Sequence, residues 1–318
     1  MGTSDFAVSC LNALHEAGMT PIAVVSQPDR PRGRGYVMTP TPVKARALEL
    51  GIEVYTPENA KDGQLLHILQ DIKADLSVVV AYGQILPKAV LDCPRYGSVN
   101  VHASLLPMYR GAAPINRVLM DGCTQTGITT MYMDEGLDTG DMILSALTDI
   151  SDEDTFETLH DRLAQMGGNL LVETIRQIEA GTAPRIPQEG PTCYAHMLHT
   201  EDRRIDFNDT VKNIVNKVRG LSPVPCAFCL CEGKKGKTTS IGKLAARYVG
   251  EGKKVKIYRA ADAGFDRDCP IGTVVCENGC LYVKARDGFV HIQQLQAEGK
   301  KRMDDQCFLC GNHPRQFE

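Results

Sequence analysis

Apolar residues in the first 180 positions follow two patterns in turn. Residues 22–26 and 76–80 are short runs with almost no polar interruption, and Val54 sits in a third; such runs read as strands buried on both faces. Between them, Val8, Leu11 and Leu14, and the stretches 44–50 and 64–72, place apolar side chains at helical spacing. Residues 98–102 alternate, with Val99 and Val101 on one face of a strand and Asn100 and His102 on the other. Pro114 suits the first turn of a helix over 114–120, and residues 128–133 and 142–148 read as two further strands. The longest helical pattern, 155–180, is predicted to break at Gly167 and Gly168, with Ser151 and Asp154 capping its start. Strands alternating with helices predict a doubly wound, mostly parallel α/β domain over residues 1–180. Residues 181–200, whose first half is rich in Pro, Gly and Thr and has no apolar period, read as a linker. In 201–318 a helix over 209–219 precedes short strands at 226–231, 255–259, 271–275, 281–285 and 290–295, the pattern of a small β-barrel.

The opening, Met-Gly-Thr-Ser-Asp-Phe-Ala, reads as the turn that follows a strand, yet no strand is written before it. The expectation is a sheet with a gap at its first strand, each unsatisfied buried backbone group costing about 1 to 3 kcal/mol, and a true start upstream of Met1.

Composition narrows the class without changing the fold. Hydrophobic residues make up 43% and charged residues 23% of 318, ordinary for a globular chain long enough for two cores. No apolar run reaches membrane-spanning length and no signal-peptide layout opens the chain, so a cytoplasmic protein without a membrane partner is expected. Its 12 cysteines are then expected as thiols. The pairs Cys226-x-x-Cys229 and Cys307-x-x-Cys310 raise zinc, but one lies in an apolar strand and the other near the chain end, so no metal is expected. The net charge of −4 hides a basic second part, to which 236–254 contributes five basic residues and one acidic. A basic half favours a nucleic-acid partner.

The candidate chemistry lies where 98–102 ends. Asn100 can donate to a developing oxyanion, and His102 can be a second donor when protonated or a base when neutral. Asp138, in Gly136-Leu-Asp-Thr-Gly-Asp141, is the candidate to orient the imidazole and favour its charged form, because it too follows a strand-like run.

The string Asn100-Val-His102, Ser104-Leu-Leu-Pro107, Gly111-Ala-Ala-Pro114 and Gly136-Leu-Asp138-Thr-Gly-Asp141 resembles the folate-dependent formyltransferases, most of all those acting on charged transfer RNA. The resemblance runs over nearly the whole chain, with Ala103 where many members have Gly. It implies a Rossmann-like first domain, an OB-like second domain, and formyl transfer from 10-formyltetrahydrofolate to the amino group of methionyl-initiator transfer RNA. The amine would attack directly, through an oxyanion-stabilised tetrahedral intermediate. Asn100, His102 and Asp138 match the catalytic trio, and Ser104, Leu105, Leu106 and Pro107 match the folate-contacting segment. The Pro-, Gly- and Arg-rich loop 27–36 would bring Arg30, Arg32 and Arg34 to the transfer-RNA acceptor stem, with Arg34 at the family's matching position. A monomer is expected. The alternatives are a formyltransferase for a small amine, such as glycinamide ribonucleotide or an amino sugar, and a non-catalytic RNA- or folate-binding module.

One motif stands outside this scheme. Gly236-Lys-Thr-Thr239 and the adjoining Ser240 to Arg247 resemble the start of a signal-recognition-particle-type GTPase, but a phosphate loop needs glycine at 231, where Cys231 stands. Glu-Gly-Lys-Lys occurs at 232–235 and again at 251–254, so 236–254 reads as an insertion at a hairpin tip.

Overall fold

The computed structural model describes residues 1–32, 35–230 and 254–310. They form two compact units, one of Met1–Pro114, Gln125–Asp149 and His160–His196, the other of Ile115–Thr124, Ile150–Leu159 and Met197 onward.

The first unit opens with α1 (Asp5–Glu16), whose Phe6, Ala7, Cys10, Leu11 and Leu14 are buried. Then come β1 (Ala23–Val25), a short antiparallel pair β2 (Arg30–Arg32) and β3 (Val37–Thr39), α2 (Pro42–Glu49), β4 (Glu53–Tyr55), α3 (Gln64–Asp71) and β5 (Ser77–Val79). Part of the loop expected over 27–36 is thus a hairpin arm. Thr41 caps α2 by accepting from Lys44 N–H, with Pro42 at the first helical position. After α4 (Lys88–Leu91) comes β6 (Ser98–His102); the chain then passes through α5 (Pro114–Met120), which belongs to the second unit from Ile115 on, before β7 (Gln125–Tyr132) and β8 (Met142–Asp149). β1 and β4 are parallel, as are β5 and β6, while β7 and β8 continue the second sheet antiparallel.

Helix α6 (Phe156–Glu179) is continuous, against the expected break at Gly167 and Gly168. The glycines serve packing: a Cβ on Gly168 would lie 2.8 Å from Ala13 Cβ and 3.2 Å from Ser9 O, and one on Gly167 would lie 3.1 Å from Val101 Cγ1. Close approach of α6 to α1 outweighs the helix propensity that glycine lacks.

The β1–β4 sheet and the β5–β8 sheet are separate, and Met1 and Gly2 bridge them: Gly2 N–H donates to Val25 O (2.9 Å), Val80 N–H to Met1 O (2.9 Å), and the Met1 amine to Val78 O (2.6 Å). Beyond this bridge lies an apolar slot of about 280 Å³, walled by Ala23, Val25, Leu76 and Val78 on the strands and by Cys10 and Leu14 on α1. Burial lowers the Met1 amine to about 5.

The second unit contains α7 (Val211–Leu221), capped by Thr210, and the antiparallel strands β9 (Ala227–Leu230), β10 (Lys254–Asp262), β11 (Val274–Glu277), β12 (Cys280–Lys284), β13 (Phe289–Ala297) and β14 (Met303–Asp304). Val211, Ile214, Val218 and Leu221 of α7 join Val255, Ile257, Val283, Ile292 and Leu295 in one core. A short helix, Asp305–Cys310, ends the described chain. The GTPase-like stretch 236–253 lies outside the described residues.

Candidate active site

Strand β6 sits between β5 and β7, with Asn100 opposite Met131 and His102 opposite Thr129. Val99 and Val101 lie buried on one face and Asn100 and His102 on the other, near the strand's carboxyl end, where Asn100 is half-buried and His102 buried. The chain then turns through Ser104–Pro107, and the loop between β7 and β8 brings Asp138 over it.

Asp138 is the hub. Its Oδ1 accepts from Asn100 Nδ2 (3.2 Å), its Oδ2 accepts from Gly111 N–H (2.8 Å), and Oδ2 lies 3.7 Å from His102 Nδ1. The structure therefore brings together all three residues expected to be catalytic. His102 Nε2 faces the Tyr109 carbonyl at 2.9 Å; a carbonyl only accepts, so this nitrogen carries a proton. Nδ1 is then the edge nearest the carboxylate, at a separation outside hydrogen-bond range. Asn100 has two amide hydrogens, and the bond to Asp138 uses one. The trio thus offers a fixed carboxylate, an amide donor beside it and an imidazole edge, the set needed to stabilise negative charge growing on a carbonyl oxygen.

Local backbone makes this possible. Asp138 has φ +54°, a left-handed conformation that Asp tolerates better than most residues. Gly111 has φ +117°, and a Cβ there would lie 2.9 Å from Ala195 O. Without glycine, its N–H could not reach the carboxylate.

The expected folate segment is partly turned inward. Ser104 is buried and its hydroxyl donates to Met108 O (2.6 Å), while Leu106 N–H donates to Thr129 Oγ1 (3.1 Å). Leu105 and Pro107 are half-buried. On the arm, Arg30 Nη2 donates to Gln27 Oε1 (3.2 Å), and Asp29 is paired with Lys44 (2.8 Å) rather than with an arginine. The Arg32 side chain and Arg34 lie outside the described residues.

Sequence reasoning did not single out Tyr109, Arg110 or Gln188. Arg110 Nε and Nη2 donate to Gln188 Oε1 (3.0 and 2.7 Å), and Gln188 lies in the segment expected as a linker. A glutamine in a loop carries no chemical mark, and no spacing rule could have found it.

For metals, Cys226 and Cys229 are both buried, with Cys226 Sγ 3.3 Å from Ile257 O. Cys307 is exposed, and the Cys310 side chain lies outside the described residues. Among the described residues, Cys280, His291 and Asp305 form one group of three possible ligands. Asp305 Oδ2 meets His291 Nε2 at 2.8 Å, shorter than the roughly 3.3 Å that two ligand atoms of a tetrahedral zinc would keep, and it also accepts from Leu281 N–H. That group is hydrogen-bonded as it stands.

Family models agree with the geometry. Residues 1–175 match the model described as formyl transferase, and residues 197–313 match the formyl transferase C-terminal domain. A methionyl-tRNA formyltransferase of Pelotomaculum thermopropionicum is 44% identical over 98% of this chain and 94% of its own length. One of Syntrophus aciditrophicus is 45% identical over 98% and 95%. Among solved structures, an N-formyltransferase from Helicobacter canadensis, in complex with folinic acid and dTDP-3-aminofucose, shares the fold. Its TM-score is 0.63 at 17% identity, over 93% of this chain and 97% of that one. By the two domain models and by relatives matched along nearly its whole length, the chain belongs to the formyl transferase family.

Proposed function

We propose that this protein transfers a formyl group from 10-formyltetrahydrofolate to the amino group of methionyl-initiator transfer RNA, as a cytoplasmic monomer and with no metal in the chemistry. The observation that carries the reading is Asp138, which accepts from Asn100 and from the Gly111 N–H and stands 3.7 Å from the edge of His102. The names of relatives at 44 and 45% identity supply the acceptor.

The formyl donor supplies an electrophilic carbonyl carbon. Asn100 donates its second amide hydrogen to the formyl oxygen as the amine attacks, and His102, with its Nε2–H on the Tyr109 carbonyl, offers Nδ1–H as a second donor when it carries a proton there. Asp138, bonded to Asn100 and 3.7 Å from His102, sets its negative charge beside both. The proton lost by the amine leaves through the His102–Asp138 pair, and the departing folate nitrogen takes up one proton in exchange. Donors of this kind stabilise the transition state by roughly 10²- to 10³-fold each, enough to dispense with a Lewis acid. Ser104 to Pro107 form the wall against which folate rests, with Leu105 and Pro107 the members facing outward. Arg30, Arg32 and Arg34 contact transfer-RNA phosphates, and Asp29, the acidic residue of that loop, is paired with Lys44.

The test is formylation of charged initiator transfer RNA, with glycinamide ribonucleotide and an amino-sugar nucleotide as competing acceptors. Turnover of the charged RNA alone supports the reading, and preference for a small amine overturns it. Arg34→Ala is expected to raise the KM for transfer RNA several-fold while leaving the KM for folate unchanged.

A further inference from the structure

Residues 186–195 bond to two parts of the active site, the 107–113 segment and the loop over 138–142. Ile186 pairs with Met142 through both backbone groups (2.8 and 3.0 Å). Cys193 O accepts from Arg110 N–H (3.1 Å), Ala195 N–H donates to Arg110 O (2.7 Å), and Ala195 O accepts from Ala113 N–H (3.1 Å). Thr192 Oγ1 donates to Pro107 O. Between these anchors Gln188 turns inward and is half-buried, while Pro187 and Glu189 on either side are exposed.

The Gln188 amide uses all four of its hydrogen-bonding positions. Nε2 donates to the carbonyl oxygens of Asp138 (2.9 Å) and Gly140 (2.8 Å), and Oε1 accepts two bonds from the Arg110 guanidinium. No other side chain of this length offers two donors and two acceptors at one planar end. The two carbonyls it holds belong to the loop in which Asp138 takes its left-handed conformation. The guanidinium belongs to the residue before Gly111, whose N–H holds the Asp138 carboxylate. Gln188 therefore joins the backbone of the Asp138 loop to the segment that grips the Asp138 side chain.

We infer that Gln188 is a positioning residue for formyl transfer, setting the Asp138 carboxylate against Asn100 and His102 without touching substrate. The inference rests on the catalytic role proposed for Asp138. Gln188 acts in the chemical step, because the carboxylate position matters once charge develops, whereas either substrate can bind with the loop displaced.

The experiment uses the full chain with Gln188→Met, Gln188→Glu, Asp138→Ala and the double variant Gln188→Met/Asp138→Ala. It measures kcat, KM for each substrate and Tm. Gln188→Met is expected to lower kcat about 10- to 100-fold, the scale of an ångström-level misplacement, with each KM within about threefold. Gln188→Glu keeps the Arg110 contact but cannot donate to two carbonyls, so a positioning role predicts a similar loss and a purely anchoring role predicts none. In the Asp138→Ala background, Gln188→Met should cost nothing more. Wild-type kcat in Gln188→Glu, or a full additional loss in the double variant, overturns the inference; if Gln188→Met does not fold, Gln188→Glu alone decides. A slow Asp138→Ala with Gln188 variants at wild-type kcat removes this inference only. Asp138→Ala at the wild-type rate removes the catalytic reading and this inference with it.

Discussion

Each residue of the trio owes its place to a different local rule. Asn100 and His102 share a face because a strand alternates, and Asp138 reaches them because its φ of +54° folds the loop back. Gly111→Ala is expected to lower activity more than stability would explain: the new Cβ meets Ala195 O, and the N–H that holds Asp138 Oδ2 must move. Comparing turnover per folded molecule with the unfolding midpoint checks this. The cysteines give a separate test. Burial pushes the Cys10 thiol up to about 12 and Cys226 to about 11, whereas Cys307 is exposed, so an alkylating reagent at pH 8 should label Cys307 and spare the other two. Because the folded Cys10 value lies above the ordinary 9, the unfolded chain ionises first. Its contribution to stability is present below pH 9 and is lost as pH rises towards 12.

Elements were legible wherever an apolar period dictated them. Strand β6, helix α5 and four strands of the second unit (β9, β10, β12 and β13) were readable because side-chain burial sets their pattern, while the strand expected over 271–275 is found at Val274–Glu277 and the short β14 was not read. Helix α6 was misread because Gly167 and Gly168 signal a break locally, while their role is contact with α1, which no single stretch of sequence contains. Gly168→Val should test this by destabilising the fold by about 1 to 3 kcal/mol, the cost of overpacking, read as a lower unfolding midpoint. Within the site, the trio was legible through strand alternation and resemblance, while the Gln188 and Arg110 pair was not, since only tertiary folding brings them together. The division between the β1–β4 and β5–β8 sheets has a consequence for motion. With Met1 and Gly2 bridging the two sheets, amides of β1 and β4 should exchange with solvent faster than those of β6 and β7. Equal protection across both sheets would contradict that reading.

On the scale of the whole molecule, the Asp138 site lies within the first unit, while the β-rich second unit takes in residues 115–124 and 150–159 of the stretch matched by the first family model together with the stretch matched by the second, 197–313. No described helix is long and apolar enough to cross a membrane. Strands β9 and β10 pair directly, Leu230 opposite Lys254, so the chain leaves and re-enters the sheet at adjacent points. Deleting 236–254 lets Glu232-Gly-Lys-Lys235 close the hairpin instead. The expected result is turnover within about twofold of the parent and a nearly unchanged midpoint, since loop length costs little entropy.

The most direct test of the account is single-turnover formyl transfer from 10-formyltetrahydrofolate to methionyl-initiator transfer RNA, comparing the parent chain with Asp138→Ala under saturating substrates. The account predicts transfer by the parent and a rate lower by about 10²- to 10⁴-fold in the variant, with cooperative unfolding retained. Transfer at the parental rate without the Asp138 carboxylate would contradict it.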